Sequence, residues 1–190
     1  MIEVKVIRWL GVICLLAGIA RMGMTPAAIG WGVDSPQELT FGYTACILMA
    51  VGTLAIYLVQ ARETGVLGFI AALAITVGNV LTAALVFVTF IFDPNGPAPE
   101  GLVVDITGMG SFFLITGGMV LMTLLMFRAK VFPRWVAGLF ALMLLAGVVP
   151  IDDYKYFALF WGLSYVGAGF CIWKGKLQAR ARDERIGLSA

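Results

Sequence analysis

An arginine, Arg21, stands alone in the apolar run LLAGIARMGMTPAAIGWG, residues 15–32. A guanidinium is a permanent cation with five donors and no acceptor, so in a low-dielectric setting it calls for an anion or several acceptors. Few residues of the chain could answer it. Asp105 and the Asp152–Asp153 pair are acids expected at its depth, and Asn79, flanked by Thr76 and Thr82, is the amide deepest in an apolar run. Arg21, Asn79, Thr76, Thr82, Asp105 and Asp152 are therefore the candidate ligand-binding residues. Asp152 and Asp153, as neighbours at a helix end, point about 100° apart and do not converge on a metal or a proton by themselves.

What is missing narrows the chemistry as much. The chain has no histidine, which removes the usual haem ligand and the commonest general base, and makes a zinc or copper site a poor fit. No GxSxG or HExxH occurs, and without histidine a hydrolytic triad has no base. Cys14, Cys46 and Cys171 sit singly in apolar runs with no CxxC spacing, and read as small buried hydrophobes. No lysine lies inside an apolar run, so a retinal Schiff base is excluded. No catalytic residue, metal or cofactor is expected from these patterns.

The elements that must position these residues are helices in lipid. The chain is 61% hydrophobic and 13% charged, with a mean hydropathy of +0.98, whereas a soluble domain carries about 25% charged residues. Several apolar stretches approach or exceed the roughly 18 residues of a membrane-crossing helix. The fold class read from this is all-α: a polytopic membrane protein forming one six-helix domain over residues 1–190. Lys5 and Arg8 before an apolar core superficially resemble a signal peptide, but the apolar character continues to Val33, which favours an uncleaved first helix.

Six spans are expected, at about 6–29, 41–60, 65–92, 102–127, 133–150 and 156–173, followed by a basic tail over 174–190. Pro26 is expected to kink or end the first. ARETG reads as a charged turn, and DPNGPAPEG, with its prolines and glycines, cannot continue a helix. Pro133 is placed to open the fifth span. With both termini cytoplasmic, eleven of the thirteen basic residues fall inside, leaving only Arg21 and Lys155 on the other face. Seven of the eleven acids (Asp34, Glu38, Asp93, Glu100, Asp105, Asp152 and Asp153) then lie outside. That asymmetry follows the positive-inside rule and supports the span count as well as the orientation. Trp9, Trp135 and Trp173 fall at the inner interface, and Trp31 at the outer one, as aromatic belts require.

In lipid, helices associate through close backbone approach and interhelical hydrogen bonds. Gly68, Ala72, Thr76, Asn79 and Ala83 share one face of the third span; Ala158, Gly162 and Gly169 share one of the sixth; and Thr107, Ser111 and Gly118 mark the fourth. These faces are expected inside the bundle or at a subunit contact. Arg21 lies thirteen residues beyond Arg8, about 20 Å along a helix, and so in the outer half of a core roughly 30 Å thick.

Three function classes remain. The first is an integral membrane protein that binds or transports a small solute or lipid through an outward-facing intramembrane cavity near Arg21. The second is a non-catalytic scaffold or accessory subunit of a membrane complex. The third is a membrane-embedded, acid-catalysed cyclase or isomerase, which needs only a protonated carboxyl and an apolar pocket. Expected partners are membrane lipids, a small-molecule or lipid ligand, and further copies of the chain or a membrane complex. The tail KGKLQARARDER could meet anionic headgroups, and nothing points to nucleic acid. The pattern is similar to that of small bacterial six-span proteins, and places the chain as a multi-pass protein of the inner (plasma) membrane.

Overall fold

The computed structural model of the chain describes residues 2–91, 100–148 and 156–175. Of these residues 92% are helical and none forms a strand. The helices are α1 (Ile2–Trp31), α2 (Pro36–Ile91), α3 (Leu102–Ala129), α4 (Arg134–Val148) and α5 (Phe157–Trp173). The α1, α2 and α3 helices are long and apolar enough to cross a membrane, while α4 and α5 are shorter apolar helices.

The 56 residues of α2 would reach about 84 Å if straight, far more than a bilayer core. They do not run straight. Gly65 leaves the helical region, with φ 55° and ψ −140°, a conformation that is essentially glycine-only. The two arms, residues 36–64 and 66–91, fold against each other. Thr76 Oγ1 donates to the Ala50 carbonyl across them at 3.2 Å, and the Tyr57 and Phe69 rings meet with centroids 5.9 Å apart. The expected ARETG turn is therefore helical through Thr64 and reverses at one residue. The described residues thus form six helical segments.

One other boundary differs from expectation. The α1 helix passes through Pro26 and ends only at Trp31. Proline there removes one backbone donor, but the helix has five further residues in which to recover its ladder, and Pro26 faces outward, exposed. Gly32 (φ 98°) and Asp34 (φ 59°) then turn the chain. The Glu38 carboxylate accepts the Asp34 backbone N–H at 2.7 Å, closing the turn into α2. At the other connection, Lys130 takes the left-handed conformation that ends α3, with its N–H on the Met126 carbonyl.

The packing is built on glycines. On α1, Gly11 and Gly18 lie seven residues apart, and on α5 Gly162 and Gly169 do the same, so each pair shares a helix face. The helices run antiparallel. A Cβ on Gly169 would sit 2.5 Å from the Leu15 nitrogen, and one on Gly162 would sit 2.5 Å from the Gly18 carbonyl oxygen. Gly52 meets the Cα of Cys14, bringing the first arm of α2 onto α1, and Gly118 meets the Ala71 carbonyl and Ile75 nitrogen, joining α3 to the second arm. The small-residue faces expected on α3 and α5 are therefore helix contacts within the chain.

Between these seams lies a core rich in sulfur. Met49, Met119, Met122, Met126 and Met143 are all buried, together with Phe140 and Tyr165. Methionine fills irregular gaps between helices well because it is unbranched and polarizable. The opposite faces carry exposed Phe69, Ile70, Leu73, Phe112, Phe113 and Leu124, a surface suited to lipid rather than water.

Close contact at Gly162 leaves no room for a side chain. Gly162→Val is expected to lower stability in detergent by about 1–3 kcal/mol, the usual effect of overpacking. Gly117→Ala, at a position with open space around it, should leave the melting temperature unchanged or slightly raised. Equal effects of the two substitutions would contradict the seam.

Candidate functional site

The seam between α1 and α5 decides where Arg21 goes. Met22 packs directly on Gly162, so the residues just before them, Arg21 on α1 and Trp161 on α5, are brought face to face. The Arg21 guanidinium carbon lies 4.2 Å from the Trp161 ring centroid. Trp161 is 6% exposed, and its ring also packs on Phe157, at 5.5 Å between centroids. Arg21 as a whole is half-buried.

Two donors of this pair are left over. Arg21 Nε and Trp161 Nε1 are both buried without a hydrogen-bond partner. No ion pair joins Arg21 to an acid among the described residues. Among the described residues Glu38 is the acid whose charge reaches it, and the neutral Cys46 and Tyr165 lie nearby. Stacking on an indole contributes about 2 kcal/mol when desolvated. Withdrawing an ion from water costs several kcal/mol. The stack alone does not balance the charge.

Beneath the stack, one turn along α5, Tyr165 is fully buried and ties several helices together. Thr53 Oγ1 donates to the Met49 carbonyl at 2.7 Å, which uses its single proton. The contact of 2.7 Å between Thr53 Oγ1 and the Tyr165 hydroxyl is therefore donated by tyrosine. The Cys14 thiol donates to the Tyr165 carbonyl at 3.5 Å, and the Phe140 ring packs at 5.9 Å. This floor is closed, with its polar atoms satisfied.

The other residues singled out in the sequence lie elsewhere. Asp105 is exposed in the first turn of α3, where a carboxylate favours the positive end of the helix dipole. Asn79 is fully buried, but its Nδ2 donates to Ile75 of its own helix at 2.8 Å and its Oδ1 is unpartnered. Thr82 bonds back to the Gly78 carbonyl, and Thr76 makes the bond between the α2 arms. No hydrogen bond or ion pair links any of these four to Arg21 among the described residues. Asp152, with Asp153, lies outside the described residues, as does the basic tail from Lys176 onward.

Near the polar patch on α2 there is instead an apolar groove. It has a volume of about 500 Å³ and runs between the arms, lined by Tyr43, Cys46, Ala50, Ala83 and Phe87 among others. Cys46 is the link between this groove and the surroundings of Arg21.

Trp161, Tyr165 and Gln60 are not among the candidates that the sequence offers, and Glu38 enters there only as an outer acid. A signal for Trp161 existed: the other four tryptophans fall near the ends of apolar runs, as membrane belts require, and this one does not. Gln60 was placed at a span end, yet it is fully buried, with Nε2 donating to the Met122 sulfur at 3.1 Å and Oε1 unpartnered. No protein-family model matches the chain, and no curated protein or solved structure is significantly similar to it.

The Thr53–Tyr165 bond gives a direct check on this geometry. Thr53→Val leaves a buried tyrosine hydroxyl without an acceptor and should cost about 1–3 kcal/mol. Tyr165→Phe removes the stranded donor, so the double variant should be less destabilised than the sum of the singles, in unfolding measured in detergent. Strictly additive losses would show that the two hydroxyls do not meet.

Proposed function

We propose that the chain is a multi-pass protein of the inner (plasma) membrane, with six spans and both ends cytoplasmic. It binds a small solute or lipid in an intramembrane cavity open to the outer side at Arg21, and transport of that ligand is the natural extension. The observation that carries the reading is the pair of buried, unpartnered donors, Arg21 Nε and Trp161 Nε1, on two side chains stacked guanidinium over indole and backed by a closed polar floor. Intramembrane arginines are costly and are kept where they pair or serve a pathway.

The topology draws support from the position of each helical end. Segments that reverse at Gly65, at residues 32–35 and at residues 130–133 put Arg62, Arg128, Lys130 and Arg134 on the same side as Lys5 and Arg8. Asp34, Glu38, Glu100 and Asp105 gather on the other. This is the charge asymmetry that orients helical membrane proteins.

Two measurements test the proposal. In a background with Cys14, Cys46 and Cys171 replaced by alanine, Val33→Cys, at an exposed position of the turn between α1 and α2, should react with a membrane-impermeant maleimide on intact cells. Lys130→Cys should react only after lysis, and the reverse pattern would invert the topology. Second, protein purified in mild detergent should retain a bound lipid or small molecule detectable by native mass spectrometry. Arg21→Ala should lose it while keeping a monodisperse elution profile; equal ligand content in both proteins would defeat the binding reading.

A further inference from the structure

The geometry points to an oxyanion, a carboxylate or a phosphate, as the group that Arg21 and Trp161 hold together, an inference that rests on the binding reading above. The two unpartnered groups are donors only: a guanidinium has no acceptor, and neither has an indole N–H. A cationic or purely donating ligand would face both of them with nothing to accept. A neutral carbonyl could accept their hydrogens but would leave the charge unanswered. An oxyanion offers several acceptor lone pairs and the opposite charge in one group, and charge-assisted bonds to arginine are the stronger kind.

Among the described residues the protein supplies no such group at this place. Glu38 is the acid whose charge acts on Arg21, but its Oε2 is held at 2.7 Å by the Asp34 backbone N–H in the turn between α1 and α2. It makes no ion pair with Arg21. Asp105 is exposed on α3. The Tyr165 hydroxyl is engaged with Thr53. Phe157, which packs on the Trp161 ring, and Met22, which packs on Gly162, are apolar. The walls around the two donors therefore suit an anion that carries an apolar body.

The test uses the full chain with Trp161 as its own reporter, after replacing Trp9, Trp31, Trp135 and Trp173 by phenylalanine. Emission is titrated with sodium phosphate, decanoate, decanol and decylammonium in detergent, and compared between nanodiscs of phosphatidylglycerol and of phosphatidylcholine. A saturable change is expected with an oxyanion, at least tenfold weaker for decanol than for decanoate and absent for decylammonium. Arg21→Gln should weaken the anion response at least tenfold, and Arg21→Lys should restore part of it. Saturation by phosphate or decanoate identifies a free anion. A response confined to phosphatidylglycerol identifies a lipid headgroup, and either result supports the assignment. Decanol matching decanoate overturns it while leaving the binding reading intact, and this comparison needs no Arg21 variant to fold. If no probe of any charge saturates, both readings fall.

Discussion

Lipid tails are as apolar as leucine, so burying a leucine between two helices in a bilayer gains little, and the helices must touch by other means. In this chain they touch through backbone. Gly11 and Gly18 on α1 meet Gly169 and Gly162 on α5 so closely that a methyl group would collide with main-chain atoms of the opposite helix. At such approach the dispersion contacts of two whole helices add up, and small residues lose little side-chain entropy in making them. The same device recurs at Gly52 against Cys14 and at Gly118 against Ala71. The first arm of α2 is thereby joined to α1, and α3 to the second arm.

That constraint also builds the site. Arg21 is three residues beyond Gly18, and Trp161 immediately precedes Gly162, so the register that seats the glycines leaves the guanidinium above the indole. Shifting α5 by one residue would rotate Trp161 by about 100° and separate the two. The polar floor is fixed by the same helix, since Tyr165 follows Gly162 by three residues and reaches Thr53 on α2. Packing and candidate chemistry are therefore two consequences of one register.

Much of this architecture was legible in the sequence because the signals were local. Hydropathy and turn residues located the six apolar segments, and small residues at three- and four-residue spacing marked the faces of α3 and α5 that are buried. Of the two outcomes expected at Pro26, the ending does not occur, because a proline removes only one bond and an outward-facing one in a long helix does not end it. ARETG misled because a charged stretch can stay helical up to the one glycine that reverses the chain. The site was legible by halves. Arg21 stood out as a charge among apolar residues, but its neighbour is an aromatic from the far end of the chain, about 140 residues away, a contact that only the tertiary register determines. Asn79 and Thr82 looked equally polar in the sequence, yet both spend a hydrogen bond on their own helix.

The unpartnered atoms inside the bundle separate into two kinds, and their energies differ. Gln60 Oε1 and Asn79 Oδ1 are neutral amide acceptors on α2, each short of one hydrogen bond, a deficit of about 1–3 kcal/mol that a single water can make good. Arg21 Nε and Trp161 Nε1 are donors beside a fixed positive charge. Water can accept from both but supplies no negative charge, and the stack on Trp161 offsets only part of what burial costs the ion. Of the two, only the arginine side gives an incoming group a gain too large for solvent to match. The amides belong to the packing of α2, and the uncompensated charge lies where α1 meets α5.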